Sequence, residues 1–145
     1  MKPAINFRKE KNMGLDMYLT GKKSTMPDWD NPVNDETVDG FRLKNKELDL
    51  GYWRKHPDLH GFIVNRFGGG VDTCQRIELT AADIACTINA IKGDELPHTE
   101  GFFFGESTND PEQKAEAIEI FEKALTWTKV EIPREFRFIY YQASW

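Results

Sequence analysis

Residues 15–20, LDMYLT, alternate apolar and polar positions: Leu15, Met17 and Leu19 on one side, Asp16, Tyr18 and Thr20 on the other. A period of two predicts a half-buried strand. Residues 21–40 break the pattern with Gly21, Pro27, Pro32, Gly40 and five acids, and predict an acidic loop. Such a loop is longer than a compact domain ordinarily carries without a use for it. Trp29, in its middle, reads either as an anchor pinning the loop to the core or as an exposed contact for a partner. Over 50–67, LGYWRKHPDLHGFIVNRF, Trp53, His60, Val64 and Phe67 fall near one face at helical spacing, so a helix is expected. Pro57 has no amide proton to give and marks the first turn of a second helix there, with His56 near its N-cap. Gly68–Gly70 ends it; without the Lys-Ser/Thr of a phosphate loop, this run reads as a turn.

Residues 74–79, CQRIEL, predict another strand. Thr80 with Asp83 three residues on forms a capping box, and Ile84, Ile88 and Ile91 make the buried stripe of a helix that Gly93 stops. Residues 101–105, GFFFG, form a short apolar strand or turn. Asp110-Pro111 is an N-cap followed by a first-turn proline; the helix beyond turns Ile118, Phe121 and Leu125 inward and is broken off by Pro133. Residues 135–141, EFRFIYY, alternate again and form a last strand. Helices of crossover length do not regularly separate the strands. The expected class is therefore α+β: a mostly antiparallel sheet of about four strands with about three helices packed on it, as a single domain over 13–145.

Composition narrows the function classes. With 145 residues, 39% hydrophobic and 12% aromatic, the chain has the material for one real core and does not read as a disordered tail. The net charge of −5 argues against neutralising nucleic-acid phosphates, so nucleic acid is not the expected partner. Residues 1–12 stand apart, with Lys2, Arg8, Lys9 and Lys11 against Glu10. They read as a flexible basic arm, as an upstream start preceding Met13, or as a contact for an acidic partner or nucleic acid. No apolar run approaches the length of a membrane span, and the N-terminus lacks the apolar core of a signal peptide. Cys74 and Cys86 are expected to be reduced thiols of a cytoplasmic protein.

Candidate chemistry gathers at three places. Tyr52, Trp53, Arg54 and Lys55 set two cations beside flat rings, a combination that holds a phosphate or carboxylate while a ring stacks. The plainer alternative places Trp53 in the core and pairs Arg54 with surface acids. His56 and His60 lie four apart, but Pro57 distorts that spacing and Asp58 points elsewhere, so no metal site and no cofactor are expected. His60 reads as a hydrogen-bonded, semi-buried histidine or, were the protein an enzyme, as its general acid/base. Three successive phenylalanines cannot all face one way, and Phe103 is the candidate for an exposed contact. At the end of the chain, Trp145 is expected to dock with its carboxylate near Arg54, Lys55 or Arg137. Gln142 and Ser144 then either end a pinned strand or line a pocket with Tyr52, Arg54 and His60. Neither cysteine carries a catalytic signature, and Ser144 lacks a nucleophile elbow.

MGLDMYL at 13–19, YWRK at 52–55 with His60 following, TEGFFFG at 99–105 and YYQASW at 140–145 are spread along residues 13–145 from one end to the other. In that order they resemble a family of small bacterial and phage proteins. In that family a tryptophan-basic helix with a downstream Ile-His or Leu-His, a GFFFG turn and a Tyr-Gln-Ser-Ser-Trp ending recur. Ala143 stands here where the family ending has a serine, and His56-Pro57 interrupts the helix. The family has no assigned reaction, cofactor or partner; its phage members imply a role in host interaction. Two expectations follow. One is a non-enzymatic accessory protein that binds another macromolecule, a protein above all, in the host cytoplasm if phage-encoded. Its surface would join Tyr52, Trp53, Arg54, Lys55, His60, Phe103, Gln142, Ser144 and Trp145. The other is a site for a nucleotide or other anion, built on Arg54, Lys55 and His60.

Overall fold

The computed structural model describes residues 14–100, 106–108 and 110–145. Along the chain run β1 (Asp16–Thr25), a 3₁₀ turn (Pro32–Asn34), β2 (Thr37–Val38), β3 (Phe41–Arg42), β4 (Asn45–Arg54) and α1 (Pro57–Phe67). After them come β5 (Ile77–Leu79), α2 (Ala81–Lys92), α3 (Pro111–Thr128) and β6 (Glu135–Ser144). The main sheet has the order β4-β1-β6-β5 with every neighbour antiparallel, and β2 pairs with β3 as a separate ribbon. The class is α+β, as the alternation and capping signals imply. Among the described residues no helix is long and apolar enough to cross a membrane.

Alternation sorts the sheet into two faces. Met17 and Leu19 of β1, Trp53 of β4, Ile139, Tyr141 and Ala143 of β6, and Ile77 and Leu79 of β5 are all buried on one side. The helices supply the other half of that core: Leu59 and Ile63 from α1, Ile84, Ile88 and Ile91 from α2, and Ala117, Phe121 and Ala124 from α3. Trp53 stacks on Phe121 at 5.1 Å between centroids, so the tryptophan clamps α3 against the sheet. At Gly51 a Cβ would stand 2.5 Å from Ile120, and only glycine lets α3 come so close. The capping box at Thr80–Asp83 forms on both sides, and Asp110 accepts from the amides of Glu112 and Gln113. These donors have no partner inside their helices, which is why the caps could be read from residue types alone.

Several expected elements move. The helix expected over 50–67 begins only at Pro57; residues through Arg54 are the end of β4. Tyr52 and Trp53 alternate across the sheet, and pairing with β1 outweighs a helical spacing that only Trp53 extended upstream of Pro57. His56 is the N-cap, as expected, and Lys55 bridges strand and helix at a left-handed φ of 54°. The acidic loop is shorter than its composition implies, because β1 continues through Gly21 to Thr25. The strand expected over 74–79 shrinks to Ile77–Leu79, and the last strand lengthens to Ser144. In α3 the inward line is Ala117, Phe121 and Ala124, with Ile118 and Leu125 only half-buried. Trp29 is 81% exposed, so it does not pin the loop to the core.

Candidate functional site

The sheet end where β1 begins and β4 and β6 finish carries most of the residues singled out from sequence. On the face away from the helices, Asp16 stands opposite Arg54 on one side and Ser144 on the other. In the next row Tyr18 stands between Tyr52 and Gln142. The Tyr52 hydroxyl donates to Asp16 Oδ1 at 2.5 Å, and Arg54 Nε lies 3.7 Å from the same oxygen. Accepting that bond stabilises the carboxylate and holds the phenol protonated, so the Tyr52 pKa is pushed up to about 12, with burial adding to the effect. The Tyr18 and Tyr52 rings tilt against each other at 5.4 Å and remain 42% and 50% exposed. Further along, Arg76 at the start of β5 lies over the Tyr140 ring at 4.5 Å and reaches Glu47 of β4 at 2.6 Å. It straps the middle of the face and leaves the Tyr18–Tyr52 end open among the described residues.

The inner side of the same end is closed by a buried relay. His60, on α1, places Nδ1 2.6 Å from the Tyr141 hydroxyl and Nε2 2.9 Å from Asp72 Oδ2. Asp72 can only accept, so Nε2 carries a proton; in the neutral imidazole the Tyr141 hydroxyl then donates to Nδ1. Burial drives the Tyr141 pKa well above its usual value, with Asp72 adding to the shift, so this hydroxyl stays protonated. The Trp145 indole donates to the other Asp72 oxygen at 3.3 Å, and the Gln142 amide donates to the Cys74 carbonyl at 2.9 Å. The tail is thus held as a central strand and by the 72–74 loop. Trp145 remains 38% exposed.

A second concavity lies where α1 starts. It has a volume of about 390 Å³ and is lined by His56, Asp58, Ile91, Asp94, Leu96, His98, Asp110, Gln113 and Lys114. Beside it, any side chain at Gly61 would collide with Thr99, whose amide donates to Asp58 Oδ1 at 3.0 Å. Ser107 closes over the helix start, 2.8 Å from His56 Nδ1, and accepts from the Asp58 amide at 3.1 Å. Burial lowers the His56 pKa, opposed by the nearby Asp58 charge.

The nine residues singled out from sequence therefore divide. Tyr52, Arg54, Gln142 and Ser144 meet on the open face. His60 and Trp145 meet through Asp72 on the side of the helices. Trp53 lies in the core rather than on any surface. Lys55 sits at the turn between strand and helix, and Phe103 lies outside the described residues. Arg54 and His60, on opposite faces of the sheet, do not converge on one concavity. Arg137, offered as a partner for the terminal carboxylate, instead binds Glu135 and the Trp127 carbonyl, each at 2.8 Å. Asp16, Asp72 and Ser107 were not picked out from the sequence; lone acids and a serine in polar stretches carry no local signal. In comparisons with known proteins, no family model, no curated protein and no solved structure matches this chain.

Proposed function

We propose that this protein works by binding a protein partner through the open end of its sheet. The observation that carries the reading is the pair of half-exposed tyrosines, Tyr18 and Tyr52, set between Arg54 and Gln142 on a face that no described helix covers. Rigid aromatic rings with a polar tip lose little entropy on contact, and with arginine they recur as the anchors of protein interfaces. Asp16 holds both Tyr52 and Arg54 in place, so the anchors are organised before any partner arrives. The likeness to bacterial and phage accessory proteins supports a host or defence factor as that partner. Photo-crosslinking tests this. A benzophenone amino acid at position 18 or 52 should yield a discrete adduct in host cells. The same group at Glu119, on the exposed side of α3, should yield none. Equal or absent adducts at all three positions remove this face from consideration.

A second reading rests on a different place. The cavity beside His56 has the size and the mixed apolar and polar lining of small-molecule sites. It takes over the small-molecule role from Arg54, Lys55 and His60. Its acidic lining suits a neutral or cationic ligand better than the anion expected from those residues.

A further inference from the structure

Ser107 Oγ is 3.1 Å from the Asp58 backbone nitrogen and 2.8 Å from His56 Nδ1. The amide can only donate to the hydroxyl oxygen, which leaves the hydroxyl proton for the ring nitrogen. Burial favours the neutral imidazole of His56, and in its Nε2–H tautomer Nδ1 accepts that proton. A capping role explains the contact between hydroxyl and amide; it does not require a base aligned on the hydroxyl proton. His56 lines the cavity, and the half-buried Ser107 stands 2.8 Å from it. The positive end of the eleven-residue α1 is directed at Ser107 Oγ, which favours negative charge developing on that oxygen.

We propose that Ser107 is a nucleophile with His56 as its general base, and that the cavity takes small carboxylic esters that are neutral or cationic. This rests on the small-molecule reading of that cavity. In the first step the Ser107 O–H bond breaks, its proton passes to His56 Nδ1, and Oγ bonds to the ester carbonyl carbon. The bond from that carbon to the leaving oxygen then breaks, and His56 returns the proton to the departing alcohol. Water, deprotonated by the same nitrogen, hydrolyses the acyl-serine and restores both side chains. Phosphate esters are disfavoured: Asp58, Asp94 and Asp110 line the cavity, and Lys114 is already held by Asp94 at 2.8 Å.

The test uses the full chain and a tagged fluorophosphonate, which forms an Oγ–P bond as fluoride leaves. Mass spectrometry should find the adduct on Ser107. Ser107→Ala should abolish it, and His56→Gln should slow it at least tenfold. The rate should also fall in acid as His56 takes up a proton. Asp58, Asp94, His98, Asp110 and Lys114 share the cavity, so the profile is repeated in His98→Gln and should keep its shape. If Ser107→Ala fails to fold, Ser107→Cys replaces it. That thiol should react with iodoacetamide faster than Cys74 and Cys86, and more slowly once His56 is Gln. No adduct on Ser107, or one indifferent to His56→Gln, overturns the proposal. A thermal shift with acetylcholine separates the two ideas. A shift in Ser107→Ala without labelling of the wild-type chain ends the chemistry and leaves the binding cavity; neither signal ends both.

Discussion

Tyr141 and His60 are hidden from solvent, so their hydrogen bond has no water to fall back on. Tyr141→Phe keeps the ring and removes the hydroxyl that lies 2.6 Å from His60 Nδ1. The expected cost is about 1–3 kcal/mol, read as a lower urea midpoint at unchanged slope. A variant as stable as the wild type would show that the hydroxyl bond contributes nothing net. His60 stood out in the sequence because a histidine on an apolar helical stripe must find polar company. Which company it finds was illegible: Asp72 is 12 residues away and Tyr141 is 81. Ser107 illustrates the same limit more sharply, since its hydroxyl acquires a base only across 51 residues of chain.

Elements whose ends are written in local chemistry were read well. Thr80 with Asp83 and Asp110 with Pro111 start helices because their side chains satisfy amides within three residues. Thr80→Ala should therefore cost about 1 kcal/mol, measured by thermal or urea unfolding, without moving α2 elsewhere. No change would mean that packing of Ile84, Ile88 and Ile91 alone sets that helix start. The stretch before Pro57 was misread because only Trp53 extended the helical spacing upstream of it. What makes 45–54 a strand is the ladder offered by β1, including the irregularity at Leu19/Thr20, and that is not a property of the stretch itself. The site residues changed company for this reason: as a strand, β4 sends Trp53 inward and Tyr52 and Arg54 outward, where a helix would have grouped them.

For the molecule as a whole, His56 ties stability to pH. Its pKa lies below the ordinary histidine value of 6.5 because charging it in its buried place is unfavourable. Below about 6.5 the unfolded chain binds a proton that the folded chain refuses, so stability is full above that pH and falls as pH drops toward the folded value. Unfolding free energy should decline between pH 7 and pH 5.5, and His56→Gln should flatten that decline. A parallel decline in the variant would place the titrating group elsewhere.

The class, the apolar faces, the two helix caps and the break at Pro57 are all legible in the residues alone, because each depends on periodicity or on atoms a few residues apart. The sequence also marked Tyr52, Arg54, Gln142 and Ser144 as unusual. That β6 lies inside the sheet, with β1 between it and β4, emerges only when the chain is folded. That order brings Arg54, Asp16 and Ser144 into one row and closes His60 behind them, while the connection from α2 to α3 sets Ser107 against His56. Strand order and long-range hydrogen bonds depend on which distant segments bury each other's surface, and no local pattern encodes that choice.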